Sequence, residues 1–490
     1  MSYSKNEKNP SPWQGTLFSG GWRPGSAGLE PVLEPATGNV IANVGLASVA
    51  DVAQASDAAI TAQPAWAALP FNQRAEILRK AAQLLRERAA EFNEWNVREA
   101  GSTMAKAEFE LGLVYDSLQM AASLPAHPFG QLLPSAFPDK TNIVRRVPIG
   151  TVGVISPWNF PLILAMRSVA PALAMGNAVI LKPDTNSAVS GGLLIAQLFD
   201  DAGLPNNVLH VLPGGQEIGR ALVEDPNIGM ISFTGSSVVG REVGVVCGRL
   251  LKKVALELGG NNAFIVLDDA DLDAAASNGA WGAFLHQGQI CMQAGRHIVH
   301  RSVAEAYIEK LTERAANLSV GNPFTDPVHL GPLINKKQHD RISSIVERTV
   351  AAGARLTTGG PDTGLFFKPT VLVGVSPDMP AFAEEIFGPV APVMVFDTDE
   401  EAIAIVNSSP YGLAAAIQTG SMTRARKIGN ALRAGMIHIN DQTVNNEIHV
   451  PFGGMGASGN GSRFGGIVDQ EEFTQSQWIS FSEVAHEYPF

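Results

Sequence analysis

Between Thr151 and Leu258, short β-branched and apolar runs alternate with longer stretches whose apolar positions recur at helical spacing. The runs Thr151–Ile155, Ala178–Leu181, Val208–Leu212, Met230–Phe233 and Val254–Leu258 predict strands. The stretches Leu162–Met175, Ser187–Ala202, Glu217–Glu224 and Val238–Arg249 predict helices between them. A helix-sized connection between successive strands specifies parallel pairing, so a doubly wound α/β sheet of the nucleotide-binding kind is expected. Upstream, Ile77, Leu78, Ala81, Leu84 and Leu85 form the apolar face of a helix over Gln73–Ala90. The alternation restarts after Gly259, with a strand at Ala263–Leu267, a helix from about Leu272 and further alternation to Asn440. That second half predicts a second α/β domain. Period-two alternation in Thr141–Val147 and Gln477–Phe481 predicts strands that pair outside both sheets. The expected division is therefore 1–124 with 149–257, then 258–468, and a small β arm from 125–148 with 469–490.

A length of 490 residues suits two or three domains, and 45% hydrophobic with 17% charged residues is an ordinary globular balance. The formal charge of −12, without a Lys/Arg cluster, argues against a nucleic-acid partner. The most apolar long stretch, Thr151–Pro183, is broken by Pro157, Asn159, Pro161, Arg167, Pro171 and Asn177, so no membrane span is expected. The first thirteen residues lack the apolar core of a secretory signal. Two cysteines, Cys247 and Cys291, make no disulfide framework and have no partner at metal-ligand spacing. A cytoplasmic protein without a metal is the expectation.

Cys291 lies in His286-Gln-Gly-Gln-Ile-Cys-Met-Gln-Ala-Gly295, a polar, glycine-containing setting unlike that of a buried structural thiol. A thiolate is the strongest side-chain nucleophile near neutral pH. Cys247, within an apolar helical run, reads as core. Glu257, in Leu256-Glu-Leu-Gly-Gly260, ends a strand-like run; a desolvated carboxyl there suits a general base, and a solvent-facing strand-end glutamate fits equally well. Asn159, in Ser156-Pro-Trp-Asn-Phe-Pro161, offers an amide to an oxyanion, and turn chemistry explains it as well. Gly235 and Ser236, in Phe233-Thr-Gly-Ser236, follow a strand and open a helix, a place for a pyrophosphate. Lys182 stands at a strand end, where ligands of open α/β sheets collect. A literal GxGxxG at Gly454–Gly459 has no strand before it or helix after it, and reads as a decoy.

Taken in order, Pro157-Trp-Asn-Phe-Pro161, Lys182-Pro183, Phe233-Thr-Gly-Ser236, Leu256-Glu-Leu-Gly-Gly260, Gly288-Gln-Ile-Cys291, Glu384-Glu-Ile-Phe-Gly-Pro389 and Pro451-Phe-Gly-Gly454 closely resemble the aldehyde dehydrogenase superfamily. The resemblance spans about Phe18 to Phe481. It implies that Cys291 attacks an aldehyde, that Asn159 and the Cys291 N–H hold the oxyanion, and that Glu257 activates water to release the acid. It implies NAD or NADP as cofactor, bound by Ile155, Ser156, Pro157, Trp158, Lys182, Thr185, Gly215, Gly235, Ser236, Leu258, Glu385 and Phe387. By the same resemblance 1–124 with 149–257 is the NAD(P)-binding domain, 258–468 the catalytic domain, and the arm makes a homodimer or homotetramer.

The stretches Phe284–Met292 and His438–Glu447 resemble the benzaldehyde and vanillin dehydrogenase branch, implying an aromatic aldehyde. The implied tunnel walls are Phe160, Ile163, Arg167, Leu285, Met292 and Phe452. Arg167 departs from the aromatic or apolar residue frequent there, and would meet a ring substituent or a buried acid. In NAD-preferring members a glutamate is common where this chain has Thr185, and a threonine does not repel a 2′-phosphate. Rival readings are an aliphatic or semialdehyde dehydrogenase, a Cys hydrolase, a coenzyme A-acylating enzyme and an inactive protein of this fold. The hydrolase needs a histidine base, for which only His286 is near. The acylating branch lacks the carboxylate matching Glu257.

Overall fold

The computed structural model describes residues 11–490, so the polar stretch Met1–Pro10 lies outside the described residues. The five strands expected in the first half form at Thr151–Ile155, Ala178–Lys182, Leu209–Val211, Ile228–Thr234 and Lys253–Glu257, and all pair in parallel. Their spatial order places the last two on one side of Thr151–Ile155 and the next two on the other. The order thus reverses between Thr151–Ile155 and Ile228–Thr234, and the loops leaving the carboxyl ends of these strands frame a crevice. Two short strands, Thr16–Phe18 and Trp22–Pro24, extend the far edge in antiparallel fashion. At three residues each they are too short to show a period.

The helix Pro161–Ala174 is buried at every position, so its sequence has no polar face. The helix Phe71–Glu87 buries Ala75, Leu78, Ala81, Ala82 and Leu85, close to the predicted face. The expected helix Ser187–Ala202 is instead three pieces: a 3-10 turn at Thr185–Ser187, a π turn at Val189–Leu193 and an α-helix at Leu194–Ala202. The cause is local. The buried Glu99 carboxylate accepts the N–H groups of Val189 at 2.9 Å and Ser190 at 2.6 Å, and Gly191 and Gly192 let the widened turn press against Pro161 and Pro183.

The second sheet runs, edge to edge, Arg355–Pro361, Phe367–Val373, Val390–Phe396, Arg296–His300, Ala263–Val266, Ala414–Gln418 and Met436–Ile439. All its pairs are parallel except the first. The strand Ala263–Val266 leads into the helix Leu272–Phe284, and the chain then passes through Cys291 before entering Arg296–His300. Outside both sheets, Lys140–Pro148 pairs antiparallel with Thr474–Ser482, as the alternation predicts, and also with Gly130–Leu133, a strand the alternation does not show. Among the described residues no helix is long and apolar enough to cross a membrane.

Candidate active site

At the reversal point of the first sheet, Ile155 hands the chain to Ser156–Asn159 and Thr234 hands it to Gly235–Ser236. Pro157–Asn159, Thr234, Gly235 and Ser236 line a cleft of about 500 Å³ that also takes in Glu257, Leu258, Cys291, Glu385 and Phe387. Ser236 caps the helix Ser237–Arg249, and the first residues of that helix line the cleft, bringing its positive end to it. Gly259 leaves no space for a side chain beside Glu385, whose Oε1 accepts the Gly260 N–H at 2.8 Å. Burial pushes the Glu385 carboxyl up to about 7. Phe387 takes a left-handed φ of 53° and meets Trp158 edge-on at 5.5 Å. A helix N-terminus together with a half-buried carboxylate and the rings of Trp158 and Phe387 in one cleft suit a dinucleotide in polarity.

Five residues expected at the cofactor lie off this lining. Ser156 is buried with its hydroxyl unpaired, and Gly215 precedes the helix Gln216–Glu224. Lys182 and Ile155 lie side by side under Gly219. Burial holds the Lys182 amine below its ordinary range, against the pull of Asp184 and Glu217. Thr185 opens its 3-10 turn, and the Asp184 carboxylate there is engaged by the Asn186 N–H at 2.9 Å and side-chain amide at 2.7 Å.

A second, narrow cavity meets the first at Cys291, Asn159 and Leu164, which border both. Its walls include Phe160, Ile163, Arg167, Met292 and Phe452, as expected. They also include Phe109 and Leu113 from the helix Met104–Ser123, Ile290, and Val444 with Asn446 from a loop. Leu285 is absent from this wall and lines a separate cavity with Trp281 and His329, correcting the expectation. The reason is the backbone: after Leu285 the chain turns through left-handed φ at His286 (49°), Gln287 (57°) and Gly288 (66°), so Leu285 and Cys291 point to different cavities. His286 is buried edge-on to Phe160 with neither ring nitrogen hydrogen-bonded, and burial followed by the Lys106 charge holds it neutral. It offers no partner for a Cys–His hydrolase.

Amide side chains hold the nucleophile loop. Asn262 donates to the carbonyls of Cys291 and Gln293, both at 2.8 Å, while its oxygen accepts the Ala414 N–H at 2.9 Å. Gln287 donates to Gly101 and Pro332, and Gln293 to Gly388. Asn159 donates to the Gln289 carbonyl at 2.9 Å, which orients its amide and leaves a second N–H free. Burial, then the charge of Glu257, raises the Cys291 thiol well above its ordinary value.

Glu257 is 1% exposed. Burial raises its carboxyl, opposed by the charge and hydrogen bond of Arg167, whose Nη2 donates to Glu257 Oε2 at 3.2 Å and to Thr234 Oγ1 at 2.9 Å. Arg167 therefore meets a buried acid. The glycine run Gly454–Gly459 packs against this strand end, with Leu258 donating to the Ser458 carbonyl at 3.0 Å and Gly459 bridging Glu257. Its glycines serve close backbone approach.

A pair that the motifs do not reveal lies under the Asn159 loop. Lys106 and Glu110, both wholly buried, pair at 2.5 Å. Glu110 Oε1 accepts the N–H groups of Leu162 at 2.8 Å and Ile163 at 3.0 Å, filling the open first turn of the helix Pro161–Ala174. Lys106 donates to the Asn159 carbonyl at 3.1 Å and lies over the Phe160 ring.

The aldehyde dehydrogenase family profile matches residues 22–479. The chain belongs to the aldehyde dehydrogenase family. It is 56% identical over 478 residues to a benzaldehyde dehydrogenase [NAD(+)] of Pseudomonas putida, covering 98% of each chain. It is 50% identical to a vanillin dehydrogenase of an Amycolatopsis species over the whole of both chains, 491 aligned positions. Among solved structures, an aldehyde dehydrogenase of Brucella melitensis biovar abortus superposes with a TM-score of 0.93 at 37% identity, covering 98% of this chain and 99% of that one. Betaine aldehyde dehydrogenase of Staphylococcus aureus, in complex with NAD+, gives 0.94 at 28% identity over 97% and 96%. The resemblance drawn from the short motifs is thus borne out, and so is the α/β architecture of this aldehyde dehydrogenase.

Proposed function

We propose that this protein oxidises an aromatic aldehyde to its carboxylic acid through a thioester on Cys291, with NAD or NADP as hydride acceptor. The observation that carries the reading is the junction of the two cavities at Cys291 and Asn159. In this account the Cys291 thiolate adds to the carbonyl carbon, and the free Asn159 N–H with the Cys291 backbone N–H takes the new oxyanion. The Gly235–Ser236 turn, Glu385 and Phe387 would hold the nicotinamide cofactor in the cleft, where it would accept the hydride. Glu257 then removes a proton from water, which adds to the thioester and displaces the Cys291 sulfur.

Substrate class follows from the narrow cavity. Its walls are mainly apolar, and Arg167 is the one charged side chain among the described residues that line it. That charge is already paired with Glu257. A neutral ring loses nothing there, whereas a carboxylate-bearing semialdehyde finds no free cation. The names of the benzaldehyde and vanillin dehydrogenases agree with this choice. NADP is accepted beside NAD in this reading, because Thr185 carries no charge against a 2′-phosphate and Asp184 is engaged by Asn186.

Residues 125–148 and 469–490 act in this proposal as an arm joining two or four copies. Leu132, Leu133, Trp478 and Phe481 are exposed on it, more apolar surface than a solitary sheet tolerates. Cytoplasmic residence is part of the same reading, supported by two cysteines that remain free thiols.

Cys291→Ala should abolish oxidation, while Glu257→Gln should release a burst of about one reduced cofactor per site and then stall. Steady turnover of the Glu257 variant without a burst would assign deacylation to another base. In a panel of aldehydes against both cofactors, benzaldehyde types should exceed acetaldehyde in kcat/KM. Burying a ring at ~25 cal/mol per Å² contributes a few kcal/mol that a two-carbon substrate lacks. A better short aliphatic substrate would overturn the aromatic assignment. In the same panel NADP should support turnover that Thr185→Glu lowers about tenfold or more, as one misplaced charge costs on the order of 1.4 kcal/mol. Wild type inert with NADP would overturn that part. Trp478→Glu with Phe481→Glu should reduce the mass seen by light scattering, and an unchanged mass would exclude the arm as the interface.

A further inference from the structure

We infer that Arg167 is a positioning residue for deacylation, tethering one oxygen of Glu257 so that the other is presented, ionised and free, to the water that attacks the thioester. The inference rests on the proposed reaction and extends it to a side chain in no motif of that reaction.

The geometry is specific. Arg167 sits two turns along the helix that begins just after Asn159, and it projects between the end of the first sheet and the narrow cavity. One amino group, Nη2, reaches both Glu257 Oε2 and Thr234 Oγ1. The guanidinium carbon lies 4.8 Å from the Phe464 ring centre and 5.2 Å from that of Phe452, so aromatic faces limit its movement. Glu257 Oε1, by contrast, is buried without a partner. A bare oxygen on a buried carboxylate is costly, and Oε1 is the oxygen left open to take a proton from water. Here the bare oxygen belongs to the carboxylate beside the nucleophile.

The other charges facing the pair act against ionisation of Glu257. Glu385, lining the same cleft, repels it, while Cys291 carries no charge once it is acylated. Asp469 approaches Arg167 from the other side, but its carboxyl is raised to about 7 by burial and held by the Gly465 N–H at 2.8 Å, so it does not draw Arg167 away. Burial favours the neutral acid as well, and the Arg167 charge and hydrogen bond are what oppose it. The sign follows. Without Arg167 the Glu257 carboxyl titrates at higher pH, and less of the base is ionised at neutrality.

The test is Arg167→Met, assayed with benzaldehyde and NAD by stopped flow and at steady state from acid to alkaline pH. The hydride burst should persist, which also reports a folded enzyme. Steady turnover at neutral pH should fall roughly tenfold or more, the factor for losing one charge-assisted hydrogen bond. The acid limb of kcat should move to higher pH, and Arg167→Lys should restore it toward wild type. Thr234→Val removes the hydroxyl that anchors the guanidinium against Glu257 and should shift the limb the same way by less; it carries the test alone if Arg167→Met does not fold. An intact burst with an unmoved acid limb would overturn the inference. A wild-type enzyme without hydride transfer would instead overturn the reaction on which it rests.

Discussion

A loop that carries a nucleophile into a protein interior must find partners for the backbone groups it buries, and the structure turns on how that demand is met. The segment from His286 to Gln293 has no sheet and only the short 3-10 turn Leu285–Gly288, distorted by left-handed residues, to satisfy it. Side-chain amides do so in part: Asn262 donates to the carbonyls of Cys291 and Gln293 and Asn159 to that of Gln289, while Gln287 and Gln293 tie the loop to the carbonyls of Gly101, Pro332 and Gly388 on neighbouring segments. Asn159 connects this requirement to chemistry. One of its N–H groups closes the loop against the first sheet, and the other is left where an oxyanion would form. The two α/β sheets are thereby joined at the point where their cavities meet.

Charge is buried around that junction in two pairs, both directed onto the helix Pro161–Ala174. Lys106 and Glu110 support its opening turn, and Arg167 leaves its middle to reach Glu257. A buried pair is expensive to desolvate and contributes little net stability, but removing one partner leaves an uncompensated charge at a cost of about 3–5 kcal/mol. Such pairs act chiefly as constraints on position. Here one fixes the loop that holds Asn159, and the other fixes the carboxylate opposite Cys291. In the proposed reaction a single apolar helix would thus carry the geometry of both halves.

Much of this was legible in the chain. The five parallel strands, the second sheet and the outlying β pair followed from hydrophobic spacing, and Cys291, Glu257 and Asn159 stood in motifs whose order is specific. Other features were hidden for physical reasons. A Lys and a Glu four residues apart on a helix read as an ordinary solvated pair, and only packing of a distant helix against them reveals Lys106 and Glu110 as buried. Leu285, placed on the tunnel wall by the resemblance, lines another cavity, and the left-handed turns at His286, Gln287 and Gly288 separate it from Cys291. The break in Ser187–Ala202 depends on Glu99, far away in the chain, capturing two backbone donors. Phe109 and Val444 line the narrow cavity from a helix and a loop that carry no motif.

The account stands or falls on a covalent acyl group at Cys291. Incubating Glu257→Gln with benzaldehyde and NAD, then measuring intact mass and mapping peptides, tests it most directly. A benzoyl adduct should appear on the peptide containing Cys291 and leave on treatment with hydroxylamine. An unmodified protein that has nonetheless reduced its cofactor, or an adduct on Cys247, would contradict the account.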